Sequence, residues 1–273
     1  MGVLAITASH RAHAWHACVI AGSLLAFAPV RRSRAHAILL ASGILGAAIG
    51  ATILPALLRA PAAIATWSPG PLLVGDRMAF GALGGFALAV AIAARWRARS
   101  GAPATGSALP ALDALSPSMG VLVAAGRVGC FLEGCDFGAP ASLAWAVRYP
   151  IESHAFAHQL ARGLVRPTDG ASLPVHPAQL YEALVGAAMI AVAIAMLHAK
   201  GRDPRGRRAA EGAVLRATLA VYAAGRLVVE MARGDDRGAL GPLSVPQWIA
   251  IATLAWCAAG LLDRGRDAIV DAS

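Results

Sequence analysis

The chain of 273 residues combines an apolar composition with a basic net charge. Hydrophobic residues make up 58% of the sequence and charged residues only 14%, and the mean hydropathy is +0.61. So few charged side chains cannot cover the surface of a water-soluble domain, and so many apolar ones exclude intrinsic disorder. The composition therefore predicts a polytopic membrane protein.

Seven stretches are apolar and suited to cross the hydrocarbon core of a bilayer, which takes about 20 helical residues, and the first of them is only marginally long. We predict one membrane-spanning helix in each of them: 14–30, 36–58, 71–94, 111–132, 178–199, 213–231 and 245–262. The first stretch also resembles a signal peptide, since an Ala-His-Ala site follows it at 35–37. Three arginines lie between that stretch and the site, which favours a retained helix. The predicted fold class is an all-α integral membrane protein.

The arginines in the loops predict the orientation of these helices. They are concentrated in alternate connections, at 31–35, 95–100 and 200–212, and again in the tail after the last span. Basic loops lie on the cytoplasmic side, which places the N-terminus outside and the C-terminus in the cytoplasm. The same distribution accounts for the net charge of +9, so we predict no nucleic-acid partner.

The connection at 133–177 is the one long loop of the predicted topology. A loop of this length usually has structure or function of its own, and this one contains several prolines and aromatic residues. We predict that it forms a small periplasmic cap, inserted into a single polytopic membrane domain that covers residues 1–273.

Ionisable side chains within the predicted spans collect at one level of the membrane. Such groups are costly inside a bilayer and by default indicate function. With the predicted orientation, those near the headgroups of the outer leaflet are Asp76, Arg77, Arg127, His176, Tyr181, Glu182, Tyr222, Arg226 and Glu230. Tyr222, Arg226 and Glu230 share one helix face because they follow one another at intervals of four residues.

Two interpretations of these charges stay open. The first is an intramembrane ion pair that stabilises the helical bundle. The second is a cavity that binds an anionic headgroup, since guanidinium groups bind phosphate bidentately. Arg127 and Arg226 lie on separate helices with few acidic partners, and a buried pair of arginines is costly without an anion between them. This consideration favours the headgroup cavity.

The segment GRVGCFLEGCDFG at 126–138 surrounds Arg127 with glycines and contains two of the four cysteines. Glycines permit close approach of the backbone to a ligand, or alternatively the packing of helices on small residues. Cys130 and Cys135 are compatible with a disulfide on an oxidising outer face, with metal binding, with a catalytic thiol or with unreactive thiols. A single C-x4-C pair is a weak signal for a metal, and we predict no metal site.

Four segments together resemble the prolipoprotein diacylglyceryl transferase family. They are GRVGCFLEGCDFG (126–138), HPAQLYE (176–182), YAAGRLVVEMAR (222–233) and LSVPQW (243–248), in the family's order and spacing. The resemblance implies a seven-span, multi-pass enzyme of the bacterial inner membrane, in contact with membrane lipids. It implies transfer of diacylglycerol from phosphatidylglycerol to the lipobox cysteine thiol in the signal peptides of preprolipoproteins. The second product is glycerol phosphate, and no cofactor is implied.

The resemblance also assigns roles to individual residues. The lipid-binding set, built around the family's phosphatidylglycerol-binding arginine, is Arg127, Gly126, Gly129, Glu133 and Gly138. The catalytic set is Arg226, Glu230, Tyr222, His176 and Glu182. Arg226, with Tyr222 and Glu230, matches a second essential cluster of the family, while His176 and Glu182 are the remaining candidates for the base. Arginines at headgroup depth suit this reaction because they stabilise the charge that develops on a phosphate leaving group.

The sequence departs from the family at two places. The family usually carries a Phe-His-Gly-Gly motif on its third span, whereas the stretch MAFGALGGFAL at 78–88 places Gly81 or Leu83 where the histidine is expected. In the arginine segment, the family commonly has Asn, Asn and Glu at the positions of Cys130, Glu133 and Cys135. We consider Glu133 a replacement for the missing carboxylate.

Three functions follow as alternatives. An active diacylglyceryl transferase is the first prediction. The absent histidine favours instead a divergent paralogue that binds phospholipid or modifies another acceptor. A small membrane transporter belongs to another class and predicts polar side chains across the whole membrane, whereas here they stop in the outer half apart from Arg216.

Overall fold

The computed structural model describes residues 13–28, 33–65, 78–100, 108–201, 211–234 and 239–270. Within these ranges the chain forms eight helices and one short β-hairpin. The helices are α1 (Ala14–Phe27), α2 (Arg34–Ala65), α3 (Ala79–Arg99), α4 (Ala108–Glu133), α5 (His154–Ala161), α6 (Ala178–Gly201), α7 (Ala213–Glu230) and α8 (Val245–Val270). The hairpin pairs β1 (Ala239–Leu240) with β2 (Leu243–Ser244), and Leu240 lies opposite Leu243.

Four helices among the described residues are long and apolar enough to cross a membrane. They are Arg34–Pro61 within α2, Ala79–Arg99, Ala108–Glu133 and Ala178–Lys200 within α6. Two further apolar helices are shorter, Ala14–Phe27 and Val245–Gly260. The helix predicted at 213–231 forms as α7, whose 18 residues include two arginines and a glutamate. The structure thus supports an all-helical, multi-pass membrane protein, while the count of seven spans and their orientation stay predictions.

Several features of the sequence analysis lie outside the described residues. The structure describes the third predicted span only from Met78 onward, so Asp76 and Arg77 are not included. The arginines at 31 and 32, and those at 202–208, also fall outside the described ranges. These residues keep the roles predicted for them from the sequence alone.

The described residues pack as two compact units. The first contains those within 26–119 and 190–218, and the second those within 1–25, 120–189 and 219–273. We call the first the helix-pair unit, because α2 packs along α3 in it, and the second the site unit.

Glycines set the distance between α2 and α3 in the helix-pair unit. A Cβ atom on Gly46 would lie 2.3 Å from the carbonyl oxygen of Gly85, and one on Gly50 would lie 2.2 Å from that of Gly81. Small residues at such positions let two helix backbones come into contact. Gly81, Leu83 and Gly85 belong to the stretch in which the family's histidine motif is expected, and Leu83 is buried. In this chain the stretch is therefore a helix-packing surface.

Replacing Gly85 with alanine is expected to destabilise the protein, whereas the same change at Gly84 is not. The Cβ of Gly85→Ala would lie 2.1 Å from the carbonyl oxygen of Gly46, and such overpacking costs about 1–3 kcal/mol. A Cβ on the exposed Gly84 meets no heavy atom within 4 Å, so Gly84→Ala gains helix propensity alone. Thermal unfolding of the two variants in the same detergent measures the difference. Equal unfolding temperatures would contradict close packing of the two backbones.

A buried aspartate determines where α7 begins. Asp113 in the first turns of α4 accepts hydrogen bonds from the backbone N–H groups of Gly212 and Leu215, both at 3.0 Å, and lies 3.5 Å from Lys200 Nζ. The N–H groups of a first helical turn have no partner within their own helix. The Asp113 carboxylate supplies that partner from another helix, a role that the sequence analysis did not assign.

We expect Asp113→Ala to lower the free energy of unfolding by about 2 kcal/mol, the upper range for loss of a helix N-cap. The variant leaves two N–H groups at the start of α7 without their carboxylate acceptor. Asp113→Asn should lose less, because its amide oxygen still accepts one hydrogen bond. Chemical denaturation in detergent measures both values. The interpretation fails if the two variants are equally stable.

The insertion predicted at 133–177 has a small core of its own. Phe137, Tyr149, Ala155 and Val175 are buried together. Ser153 caps the start of α5, because its side chain accepts a hydrogen bond from the Phe156 N–H. Isolated bridges join Val175 to Pro140 and to Val147. Burial raises the pKa of the Tyr149 phenol, so this side chain stays neutral in the core. Its place on the periplasmic side stays a prediction.

Candidate active site

Glu182 is the centre of the largest polar cluster that we find among the described residues. It lies in the first turns of α6 and its side chain is fully buried. Its Oε1 atom lies 2.9 Å from Arg127 Nη2 and accepts a hydrogen bond of 2.8 Å from the Tyr222 hydroxyl. Its Oε2 atom lies 2.9 Å from Arg226 Nη1 and 3.5 Å from Arg233 Nη1. One carboxylate therefore binds three guanidinium groups.

Two further carboxylates complete this cluster, which we call the arginine cluster. Asp136 forms an ion pair with Arg127 and lies 3.2 Å from Arg233 Nη2. Glu230 forms an ion pair with Arg226 and accepts a hydrogen bond of 2.6 Å from the Ser244 hydroxyl. Among the residues that the structure describes, three arginines thus face three carboxylates, and the formal charges of these six side chains balance.

The expectation that the two buried arginines have few acidic partners is wrong. The anion between Arg127 and Arg226 is Glu182, which contacts both guanidinium groups. The sequence pattern does not predict this pairing, because Glu182 lies 55 positions from Arg127 and 44 from Arg226 along the chain. The two arginines are therefore stable without a bound ligand, and an anionic ligand has to compete with carboxylates of the chain itself.

Gly138 is the position where three of the four motif segments meet. Its N–H donates to the carbonyl oxygen of His176 at 3.1 Å, and it forms a bridge with Arg233. A Cβ atom here would lie 2.4 Å from the His176 oxygen and 2.7 Å from the Ala232 oxygen. Only glycine leaves room for backbones to approach so closely. Gly138 thereby holds the segments that carry Arg127, Glu182 and Arg226 against one another.

The turn after α4 directs Asp136 back toward Arg127. Gly134 and Asp136 both adopt left-handed backbone conformations, with φ of 75° and 56°. Aspartate is one of the few residues other than glycine that tolerates this region. The reversal brings a carboxylate to Arg127 nine positions after it in the chain. Asp136, and not Glu133, is thus the residue of this segment whose carboxylate contacts Arg127.

The other residues of the lipid-binding set lie in different surroundings. Glu133 accepts a hydrogen bond of 3.0 Å from the Trp15 N–H at the start of α1. Gly129 also packs against α1, since a Cβ atom on it would lie 2.7 Å from the Trp15 Cα. A Cβ atom on Gly126 would meet no heavy atom within 4 Å. The predicted lipid contacts of these three residues stay predictions.

His176 belongs to a second polar group, two of whose members precede Glu182 in the segment at 176–182. Its Nδ1 atom lies 3.3 Å from the Tyr181 hydroxyl oxygen, which accepts a hydrogen bond of 2.8 Å from Trp145 Nε1. Trp145 comes from the cap, and the other two residues from the segment that carries Glu182. We call Trp145, Tyr181 and His176 the histidine triad. It fixes the orientation of the imidazole ring.

Three residues in or beside the arginine cluster have no individual role predicted from the sequence. Asp136, Arg233 and Ser244 lie only within the quoted motif segments. A signal for Arg233 was present, because it lies seven positions after Arg226 and three after Glu230, the spacing of one helix face. Ser244 offered no comparable pattern, since it reaches Glu230 only through the β-hairpin.

Comparison with known proteins identifies the family. The family model described as "Prolipoprotein diacylglyceryl transferase" matches residues 13–262, which include every member of the arginine cluster and of the histidine triad. The chain belongs to the prolipoprotein diacylglyceryl transferase family. This confirms the resemblance found in the sequence motifs.

Several curated relatives carry the same family name. A phosphatidylglycerol–prolipoprotein diacylglyceryl transferase from Clostridium tetani is 27% identical over 146 residues, 54% of this chain and 50% of the relative. One from Bordetella parapertussis is 34% identical over 142 residues, 51% of this chain and 45% of the relative. Phosphatidylglycerol–prolipoprotein diacylglyceryl transferase 2 from Clostridium perfringens is 25% identical over 175 residues, 63% of this chain and 56% of the relative. The chain spans about half the length of the curated relatives it matches.

Proposed function

We propose that this protein transfers diacylglycerol from phosphatidylglycerol to the lipobox cysteine thiol of preprolipoprotein signal peptides, and releases glycerol phosphate. The observation that carries the proposal is the arginine cluster, in which three guanidinium groups from two motif segments surround Glu182. Membership of the family and the names of the relatives support the same reaction. The bacterial inner membrane, where lipid and signal peptide meet, is the proposed location.

The charge balance of the cluster suggests where the lipid phosphate binds. A phosphodiester is an anion, so its binding beside three paired arginines requires one carboxylate to move away. Asp136 is the most accessible of the three carboxylates, with 20% of its side chain exposed against 8% for Glu230 and none for Glu182. We place the phosphate at the edges of Arg127 and Arg233 that Asp136 occupies. There the guanidinium groups stabilise the charge that grows on the leaving glycerol phosphate.

Glu182 and His176, the two candidate bases, have different roles in this proposal. Both oxygens of Glu182 already contact donors, namely Tyr222 and the guanidinium groups around it, so this carboxylate orients the arginines. His176 is the proton acceptor in our proposal. When its Nδ1–H donates to the Tyr181 oxygen, its Nε2 lone pair accepts the proton of the substrate thiol.

The bond changes then balance without a cofactor. The thiolate sulfur attacks the diacylglycerol carbon that carries the phosphodiester oxygen, a C–S bond forms and the C–O bond breaks. The electron pair of the broken bond leaves with glycerol phosphate, beside Arg127 and Arg233. The proton taken by the imidazole returns to solvent or to the product phosphate.

A divergent paralogue is the second candidate function, and a specific observation favours it. The stretch at 78–88 has no side chain that can transfer a proton, and its Leu83 is buried within helix packing. A protein that binds phosphatidylglycerol through the arginine cluster without acting on lipobox peptides would show this pattern.

One assay distinguishes these functions. The full chain is reconstituted in vesicles of phosphatidylglycerol with a synthetic lipobox peptide, and both the peptide's mass and the release of glycerol phosphate are followed. We expect a diacylglyceryl adduct that requires the peptide cysteine and falls about 1000-fold in Arg127→Ala. Arg166→Ala is the matched control, because Arg166 is exposed in the cap and pairs with Asp169. Lipid binding that requires Arg127, without an adduct, would favour the paralogue.

A further inference from the structure

Cys130 and Cys135 lie on either side of a bend that returns the Cys135 thiol to the backbone of Cys130. Cys130 is in the last turn of α4, and its carbonyl oxygen accepts hydrogen bonds from the N–H groups of Gly134 at 2.9 Å and Cys135 at 3.2 Å. Cys135 Sγ lies 3.7 Å from the same oxygen. Both are free thiols. The reaction proposed above uses neither of them.

This thiol pair is one contact away from the arginine cluster. Cys130 Sγ lies 3.8 Å from Asp136 Oδ2, and that carboxylate binds Arg127 and Arg233. Asp136 also follows Cys135 directly in the chain. A covalent change at the two sulfurs therefore acts on the carboxylate that the lipid phosphate has to displace.

The two thiols differ in accessibility, as the partners of a thiol–disulfide exchange usually do. Cys130 is buried, with 7% of its surface exposed, while Cys135 is partly exposed. An exposed thiol meets an external disulfide first, and a buried neighbour then attacks the exposed cysteine's sulfur in the mixed disulfide and releases the external thiol. Cys18 and Cys257 lie on other helices, α1 and α8, and serve as internal references.

We propose that Cys130 and Cys135 form a dithiol–disulfide pair that controls the mobility of Asp136. The Cys135 thiolate attacks one sulfur of a small disulfide donor and releases the first donor thiol. The Cys130 thiolate then attacks the Cys135 sulfur and releases the second. The two cysteines lose two protons and two electrons, and the donor disulfide is reduced to two thiols.

The disulfide has a defined effect on the arginine cluster. It removes the Cys130 S–H donor from Asp136 and fixes the turn at 134–138 to the end of α4. The Asp136 carboxylate then cannot move away from Arg127, so the lipid phosphate cannot bind in its position. This consequence for activity rests on the proposed function, whereas formation of the disulfide does not.

The first experiment measures the covalent state alone. The reconstituted full chain is incubated with oxidised or reduced glutathione, free thiols are alkylated, and intact and peptide masses are determined. We expect loss of two hydrogens and a bridge between Cys130 and Cys135 in the wild type, and no bridge in Cys130→Ser or Cys135→Ser. Cys18→Ser and Cys257→Ser should form the bridge as the wild type does. A product that carries mixed glutathione adducts without a bridge, or one with a bridge to Cys18, would overturn the proposal.

The second experiment measures phosphatidylglycerol turnover in the two redox states. We expect the oxidised wild type and Cys18→Ser to lose at least fivefold in rate and to recover it with dithiothreitol, whereas Cys130→Ser responds to neither reagent. A bridge that leaves turnover unchanged would overturn the control of Asp136. If neither state turns over lipid but the bridge forms, the redox pair stands and the proposed function fails.

Discussion

Replacing Glu182 with alanine is expected to abolish diacylglyceryl transfer and to lower the free energy of unfolding by about 3–5 kcal/mol. The change removes the one carboxylate that contacts Arg127, Arg226 and Arg233, and leaves three buried guanidinium groups around an apolar methyl group. Breaking a buried ion pair on one side costs more than the pair contributes, because the remaining charge stays desolvated. Unfolding in detergent and the vesicle assay measure the two effects separately.

A charge-balanced pair of variants tests whether Glu182 acts through its charge. Glu182→Gln keeps an oxygen acceptor but leaves the cluster with an excess positive charge. Adding Arg233→Gln restores the balance of formal charge. It does so at the arginine whose contact with Glu182 is the longest of the three, 3.5 Å. We expect the double variant to be more stable than Glu182→Gln alone, a coupling that a double-mutant cycle measures. Additive losses in the double variant would contradict an electrostatic role.

Tyr222→Phe removes one hydrogen bond to the same carboxylate. It should lower the free energy of unfolding by only about 1 kcal/mol.

The sequence predicted the helices well where their composition alone determines them. The uncharged run at 36–58 lies within α2, and the runs at 111–132 and 178–199 lie within α4 and α6. An apolar run of that length has few alternatives to a helix, because lipid offers no hydrogen-bond partners to the backbone. The start of α7 depended instead on Asp113, which reaches it from another helix, and a local pattern does not reveal such a contact.

The residues of the candidate site were predictable as a group, but their partners were not. Buried charge in an apolar helix marked Arg127, Glu182 and Arg226, and the motif resemblance brought them together. Which carboxylate faces which arginine depends on turns and close approaches that neighbouring residues do not encode. Glu133 and Asp136 illustrate this, since they are three positions apart and one contacts α1 while the other binds Arg127. The left-handed conformation of Asp136 makes that difference.

The charge balance changes how the two original interpretations relate to each other. From the sequence alone, a stabilising ion pair and a headgroup cavity are alternatives. In the structure the ion pairs exist, and the same guanidinium groups are the donors that a phosphate would use. In the function proposed here, the site is stable without lipid and exchanges the Asp136 carboxylate for the phosphate when lipid binds. Under that proposal, lipid binding depends on how easily Asp136 moves, and the proposed cysteine pair controls this movement.

We expect His176→Ala to lower the rate of transfer to the lipobox thiol by 100-fold or more at neutral pH, the usual contribution of a general base. The imidazole is held by the Tyr181 hydroxyl, which Trp145 fixes from the cap. Without the ring, the substrate thiol has to ionise by itself, and a cysteine thiol does so only near pH 8.5. The rate of His176→Ala should therefore rise with pH and approach that of the wild type above this value.

This pH dependence separates a base from a merely structural histidine. A variant that had lost the shape of the site would stay slow at every pH, because the thiolate would find no ordered lipid to attack. Tyr181→Phe serves as the matched variant, since it keeps the histidine and removes only the hydroxyl that orients its Nδ1. Its loss should be about tenfold, with the same recovery at high pH. A His176→Ala variant with the pH profile of the wild type would exclude the imidazole as the base, and the proton would then have to leave by another route past the arginine cluster.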